Sequence, residues 1–282
     1  MDYTTFDLTV ENHVAHLRFN RPLKYNAMSL EFWQEFPQAI TALDDDPEVR
    51  VLVISGEGKH FCAGMDLAVF TSGAIKRPKD PARRNEHMRQ IVLHLQAVIS
   101  SVESLRMPVL AAIQGGAIGG ALDLVCACDC RYMTEDAFTS IEEIRLGMAA
   151  DLGTLQRLPK LIAPGLAKEL AYTGRRLYSQ EALSSGLVNQ VFSDVDTMMS
   201  EVMVLAQTMA NHSPLAVYGC KEMINYGLNH STDDALKYQA TWQAGMLQPE
   251  VDMMEAMMSK GQKREPVYKA LETTHTQFKP PL

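Results

Sequence analysis

The sequence predicts an α/β core followed by a helical C-terminal region, and three observations predict it. Strand-like and helix-like patterns alternate through the first two-thirds of the chain. Helical patterns dominate from Asp196 to about Glu272. No low-complexity linker and no sequence repeat interrupts either part. The expected division is an α/β core at residues 1–195 and a helical C-terminal region at 196–282.

The elements follow in order. "FDLTVENHVAHLRFN" (6–20) alternates apolar and polar residues around Glu11-Asn12, as a β-hairpin with a tight turn does. "NRPLKYNAMS" (20–29) is a loop whose Ser29 can cap the next helix. That helix, 30–46, has Leu30, Phe32, Trp33, Phe36, Ile40 and Leu43 at helical spacing, with Pro37 expected to kink or shorten it. "VRVLVISGEG" (49–58) is a buried strand ending in a glycine turn. Residues 68–84 lack periodicity and carry Gly73, Pro78 and Pro81, which predicts a mobile surface loop. A long amphipathic helix follows at 86–105, then a strand at 109–115. A glycine-rich turn opens the helix of "GGAIGGALDLVCACD" (115–129), and short strands lie at "RYMTE" and "AFTSI". From Leu152 the pattern is mainly helical, interrupted by the strand-like "LVNQVF".

Composition narrows the function. The 282 residues carry 26 basic and 34 acidic side chains, a formal net charge of −8, which disfavours a general nucleic-acid binder. Five cysteines, an odd number without a regular framework, argue against a disulfide-stapled secreted protein. No window reaches the roughly 18 uninterrupted apolar residues of a membrane span. No basic-then-apolar signal opens the chain, and "QFKPPL" is not the Ser-Lys-Leu peroxisomal address, so a cytoplasmic protein is expected.

Several clusters are candidates for chemistry. "GGAIGG" (115–120) suggests a phosphate cradle, but its spacing is not GxGxxG and it lacks the Lys-Ser/Thr of a P-loop. Asp123 falls in the first helical turn after Gly120, where a carboxylate repels a phosphate. Free N–H groups at that helix start suit a small developing charge, such as an enolate oxygen. The same spacing also fits glycines for close packing and Asp123 as a favourable N-terminal charge. "GKHFCAGMDL" (58–67) can present backbone N–H groups to a ligand, or be a plain strand exit. Cys126, Cys128 and Cys130 alternate too closely for a zinc site and lack a second ligand pair, so no metal is expected. None of the eight histidines has a catalytic pattern. The methionines at 246, 253, 254, 257 and 258 read as a packing stripe or a subunit interface.

"IEEIRLGMAADLG" (141–153) holds three carboxylates. If 138–144 is a strand, Glu142 and Glu143 face opposite sides of it. Asp151 sits in an apolar run, where burial would raise its pKa, and it also fits an N-cap of the next helix.

Together, "FCAGMDL" (61–67), "GGAIGGALDLVCACD" and "IEEIRLGMAADLGTLQRLP" (141–159), with "NRPLKYNAMS", resemble the enoyl-CoA hydratase/isomerase (crotonase) superfamily over about residues 5–270. The resemblance implies a crotonase-like spiral of ββα units with a C-terminal helical trimerisation region, as a homotrimer or homohexamer. It implies an acyl-CoA thioester substrate and no cofactor, since coenzyme A is part of the substrate. By motif position the N–H groups of Met65 and Gly120 form an oxyanion hole, and Ala63, Gly64, Asp66 and Gly119 contact substrate. Typical hydratases carry Glu where this chain has Asp123, and a second Glu at Glu143, which selects Glu143 over Glu142. With Asp151 added, the trio looks like the dienoyl-CoA isomerase branch, which converts 3,5-dienoyl-CoA to 2,4-dienoyl-CoA in fatty acid degradation. Moving a proton from C2 to C6 suits two carboxylates, with Glu143 assigned to C2 and Asp151 to C6.

One departure stands out. Leu67-Ala68-Val69 follow "AGMD" where some relatives carry a lysine for the CoA phosphates. Phosphate contacts would come from Lys24, from Lys76, Arg77 and Lys79, or from a neighbouring subunit. The alternatives are an enoyl-CoA hydratase or enoyl-CoA isomerase of the same superfamily, and a non-catalytic acyl-CoA or RNA-binding protein.

Overall fold

The computed structural model describes residues 3–71, 73, 78–247 and 249–274. Strands β1 (Phe6–Glu11) and β2 (Val14–Phe19) form the expected hairpin, with Phe6 opposite Phe19. Strands β3 (Val51–Gly56), β4 (Val109–Ile113), β6 (Cys130–Thr134) and β9 (Gln190–Phe192) extend it in parallel, in the order β1-β2-β3-β4-β6-β9. A second sheet joins β5 (Gly116–Ile118), β7 (Phe138–Ser140) and β8 (Leu177–Tyr178).

Parallel strands need cover on both faces, and their sequences say so: "VLVIS" and "VLAAI" are unbroken apolar runs. Leu52 and Ile54 point into one core with helices α1 (Leu30–Asp45), α3 (Pro81–Ser104) and α4 (Gly120–Ala127). Val51 and Val53 point the other way, onto α8 (Val195–Ala210) through Met198, Val202 and Ala206. Each such fully buried aliphatic side chain contributes roughly 1.5–3 kcal/mol.

Several local expectations are corrected. Pro37 does not shorten helix α1, which continues to Asp45 and buries Phe32, Trp33, Phe36, Ala39, Ile40 and Leu43 along one stripe. Ser29 does precede it, but its hydroxyl donates to the Glu31 carboxylate at 2.6 Å and caps no backbone N–H. Within 68–84, a short helix α2 (Ala68–Thr71) and the start of α3 replace the expected loop; residues 72 and 74–77, with Lys76 and Arg77, lie outside the described residues. Asp80 caps α3 through the Arg83 N–H at 2.9 Å, with Pro81 in its first turn.

Helices α5 (Thr154–Leu161), α6 (Pro164–Thr173) and α7 (Ser179–Ser184) complete the core. Beyond α8 lie α9 (Pro214–Gly227), α10 (Thr232–Met246), a π-helical turn at Pro249–Met253 and α11 (Met254–Gln262). Lys221 of α9 is buried and donates to Asp129 at 2.8 Å and to the Met107 carbonyl at 2.9 Å. The five methionines do not pack into the chain's own core: Met246, Met253, Met254, Met257 and Met258 are all exposed. A cavity of about 770 Å³ opens among α9, α10 and the C-terminal segment, lined by Leu215, Trp242, Met246, Val251, Tyr268 and Leu271. That segment runs back over the core. Arg50 donates to the Tyr268 carbonyl at 3.0 Å and Arg106 to the Glu272 carbonyl at 2.9 Å, and Thr274 bonds Asp45.

Candidate active site

The site begins with two loops sewn together. Asn26 lies in the left-handed region with φ at 56°, a conformation Asn tolerates better than most residues. Its buried amide donates to the carbonyls of Glu57, His60 and Phe61 at 2.9, 2.9 and 3.1 Å, while its oxygen accepts the Arg21 N–H at 2.9 Å. This fixes loop 20–29 against loop 57–66. Met28 N–H donates to the Gly64 carbonyl at 2.8 Å, and Asp66 N–H to the Met28 carbonyl at 3.0 Å. Those bonds use the groups on either side of Met65 and leave its N–H turned away.

Gly64 explains how the second loop reaches the glycine turn. Its φ is +82°, and a Cβ there would sit 2.4 Å from the Ile118 carbonyl oxygen and 3.2 Å from the Gly120 nitrogen. A Cβ on Gly120 would lie 3.7 Å from the Met65 nitrogen. Two N–H groups, Met65 and Gly120, therefore lie side by side, and among the described residues neither has an acceptor. Gly120 opens α4, so its N–H has no partner within the helix. The Met65 side chain is held from behind by the Trp33 indole, whose N–H lies 3.2 Å from its sulfur.

Three carboxylates within electrostatic reach of one another gather beside the glycine turn. Asp123, on α4, is 1% exposed. One oxygen accepts the Thr154 N–H at 2.5 Å, and the other has no partner among the described residues. Burial pushes its pKa up to about 6 and the Asp151 charge adds to this, against the Thr154 N–H and the Arg157 guanidinium. Glu143 approaches Gly119: a Cβ there would meet its Oε1 at 2.9 Å, and Gly119 has φ +54°. Its other oxygen is buried and unpartnered among the described residues. Burial, with the charges of Asp123, Asp151 and Glu142, pushes the Glu143 pKa up to about 7. Asp151 is also raised by burial of its carboxyl, though the residue as a whole is exposed.

The turn that carries the glutamates is not a strand. Strand β7 stops at Ser140, and Glu142–Leu146 is a 3₁₀ turn closed by Gly147 in the left-handed region. At three residues per turn, positions i and i+3 eclipse, so Glu142 meets Arg145 at 3.5 Å on the outside. Glu143 is left facing Gly119. Asp151 is not the cap of α5: Gly153 holds that position, and the Thr154 N–H goes to Asp123.

Ala63, Gly64, Met65 and Asp66 thus form one loop beside Gly119 and Gly120, with Asp123, Glu143 and Asp151 electrostatically coupled around it. Ala63 is anchored by its N–H to the Tyr25 carbonyl at 2.9 Å. Asp66 accepts the Ala68 N–H at 3.0 Å and faces Arg21 at 3.8 Å. Sequence reasoning missed Asn26, Thr154 and Arg157. Asn26 left one trace, an Asn in a Tyr-Asn loop step where positive φ is common; the other two look like ordinary helix residues.

A model of the enoyl-CoA hydratase/isomerase family matches residues 9–279. A Rattus norvegicus protein named Delta(3,5)-Delta(2,4)-dienoyl-CoA isomerase, mitochondrial, is 40% identical over 267 residues, 94% of this chain and 81% of that protein. An Arabidopsis thaliana protein named Delta(3,5)-Delta(2,4)-dienoyl-CoA isomerase, peroxisomal, is 42% identical over 274 residues, 95% of this chain and 98% of that protein. The solved structure of an enoyl-CoA hydratase from Bacillus anthracis is similar with a TM-score of 0.84 at 33% identity, covering 94% of this chain and 99% of that one. The compartment names overturn the expectation of a cytoplasmic protein, since these relatives are named mitochondrial and peroxisomal. Five free cysteines fit any reducing compartment and never distinguished among them.

Proposed function

The chain belongs to the enoyl-CoA hydratase/isomerase family and is an enzyme of it, and from that premise we propose that it converts 3,5-dienoyl-CoA to 2,4-dienoyl-CoA in fatty acid degradation. The observation that carries this reading is the third carboxylate. Asp151 adds an acid with a raised pKa to the pair Asp123 and Glu143, beside two N–H groups without acceptors.

The chemistry follows from those parts. The thioester oxygen accepts the Met65 and Gly120 N–H groups, which stabilise the negative charge that develops on it. Glu143, in its ionised form, removes a C2 proton. The electron pair spreads over the oxygen, C2, C4 and C6. Asp151, in its protonated form, delivers a proton to C6, so the two double bonds end at C2 and C4. Glu143 then holds a proton and Asp151 has lost one, and exchange with solvent restores both, for which the open position of Asp151 is suited. Asp123 tunes the pair by its charge. The sequence of steps is a proton transfer and calls for no cofactor. Ala63, Gly64, Asp66 and Gly119 line the path of the thioester.

The unpartnered oxygens of Asp123 and Glu143 favour one second reading, hydration of a 2-enoyl-CoA with water held between them. Incubating the purified protein with 3,5-dienoyl-CoA and following the conjugated 2,4-diene separates the two. Diene formation is expected; much faster conversion of 2-enoyl-CoA to the 3-hydroxy product would overturn the proposal.

The helical region is proposed to join copies into a homotrimer or homohexamer. What supports this is the apolar cavity and the exposed methionines of that region, in a chain whose α10 buries no residue of its own.

A further inference from the structure

Gln96, Ser100 and Glu103 lie at i, i+4 and i+7 on α3 and share one face of it. That face is next to the stripe of Val98, Ile99 and Val102 that packs into the core. All three polar residues reach the same stretch of chain. The Gln96 amide donates to the Asp151 carbonyl at 2.6 Å. Arg157 donates from Nη2 to the Ser100 hydroxyl at 2.9 Å, and from Nε and Nη2 to one Glu103 oxygen at 3.1 and 2.8 Å. The segment from Asp151 to Arg157 is therefore pinned to α3 at both ends.

Gly153 lies between the pins. Its φ is +133°, and a Cβ there would stand 1.9 Å from Arg157 Nη1. Any side chain would displace the guanidinium, so the glycine lets Arg157 fold back over the start of α5. The next residue, Thr154, gives its N–H to Asp123. Thr154, Asp151 from the loop and Arg157 from α5 act on Asp123, and Asp123 in turn bears on Glu143 of the 3₁₀ turn and on Cys126 of its own helix. Of these, only Arg157 is positive, and Glu103 is the carboxylate that holds it in place.

We propose that Arg157, clamped by Glu103 and Ser100, is a positioning residue that sets Asp123 and Asp151 for proton transfer. It acts through two routes. It fixes the start of α5, and with it both the N–H that orients Asp123 and the loop that bears Asp151. It also supplies the positive charge that favours the ionised form of Asp123. The role in turnover rests on the isomerase reading; the clamp and its effect on Asp123 do not.

The test compares wild type with Arg157→Gln, Arg157→Lys and Glu103→Gln, with Arg175→Gln as the control. Arg175 binds Glu169 and Glu181 in a separate network, and its loss is expected to leave turnover unchanged. Arg157→Gln should lower kcat on 3,5-dienoyl-CoA by about tenfold or more, since small displacements of a reacting group are costly, with KM nearly constant. Its Asp123 carboxyl should titrate at higher pH than in wild type. Arg157→Lys keeps the charge but not the forked contact, so it should restore the Asp123 titration and only part of kcat. Difference infrared spectroscopy needs no substrate: the carboxyl band that Asp123→Asn removes should titrate at higher pH in Arg157→Gln than in wild type.

Unchanged kcat in Arg157→Gln overturns the proposal. So does a fall in kcat with the Asp123 titration unmoved, which is what a purely structural arginine gives. If Arg157→Gln does not fold, Glu103→Gln takes its place in both measurements. If wild type forms no 2,4-dienoyl-CoA, the isomerase reading fails, and the Asp123 titration alone decides for or against the clamp.

Discussion

Asp123 combines near-complete burial with a carboxyl whose ordinary value of 3.8 rises to about 6. Between those values the folded chain binds a proton that the unfolded chain has lost. Stability therefore falls as pH rises through that window and is level above it. Asp123→Asn removes this dependence. Its unfolding free energy should gain on wild type by roughly 2–3 kcal/mol between about pH 4 and about pH 8, as chemical denaturation reads it. An equal difference at both pH values would show that Asp123 does not titrate in the fold. Glu143, raised to about 7, must be ionised to act as a base while Asp151 must keep its proton, so kcat/KM should follow a bell-shaped pH dependence, rising as Glu143 ionises and falling as Asp151 loses its proton. Asp151→Asn should reduce isomerisation by about 10²–10⁴-fold while acyl-CoA binding, followed by calorimetry, stays nearly intact. Surviving activity would leave Asp151 outside the chemistry. Only the family resemblance singled out Glu143 from Glu142, whereas Asp123 and Asp151 were visible in the sequence as acids in apolar runs. Thr154 and Arg157 were not, because their importance depends on contacts to α4 and α3 that no local pattern encodes.

At the scale of elements, the site depends on two loops and a turn more than on any helix. Asn26 bonds three carbonyls of the neighbouring loop from a buried position. Asn26→Ala should cost roughly 2–4 kcal/mol, the sum of lost bonds and unsatisfied buried groups, and should weaken acyl-CoA binding because the Met65 loop loses its tie. Chemical denaturation with a binding titration checks both; full stability would mean the loops hold without the tie. The long apolar strands were legible because burial on both faces leaves an unbroken signature. Pro37 misled, because the apolar stripe of α1 outweighs one missing N–H. "IEEIRL" misled too: its short alternation resembles a strand, yet Gly147 closes it into a 3₁₀ turn. That difference decides which glutamate faces Gly119. A strand would send the two glutamates to opposite faces, whereas the turn pairs Glu142 with Arg145 and leaves Glu143 inward.

For the molecule as a whole, the α/β core and the helical C-terminal region were both readable, because periods of two and 3.6 residues differ sharply over long stretches. The covering of the helical region was not, since a methionine stripe looks the same whether it packs inside one chain or between two. Sedimentation velocity should give the mass of a homotrimer or homohexamer, and a monomer at micromolar concentration would refute that assembly. The C-terminal segment adds a temporal consequence. Its ties to Arg50, Arg106 and Asp45 span 218, 166 and 229 residues of sequence. Contacts that distant slow folding, since the intervening chain must be ordered before they reward closure. A polypeptide made from its N-terminus offers Arg50 and Arg106 to an empty neighbourhood for most of its synthesis. The strands of the sheet are all made before Tyr268 and Glu272, so Arg50 and Arg106 wait for that segment before it can latch over them.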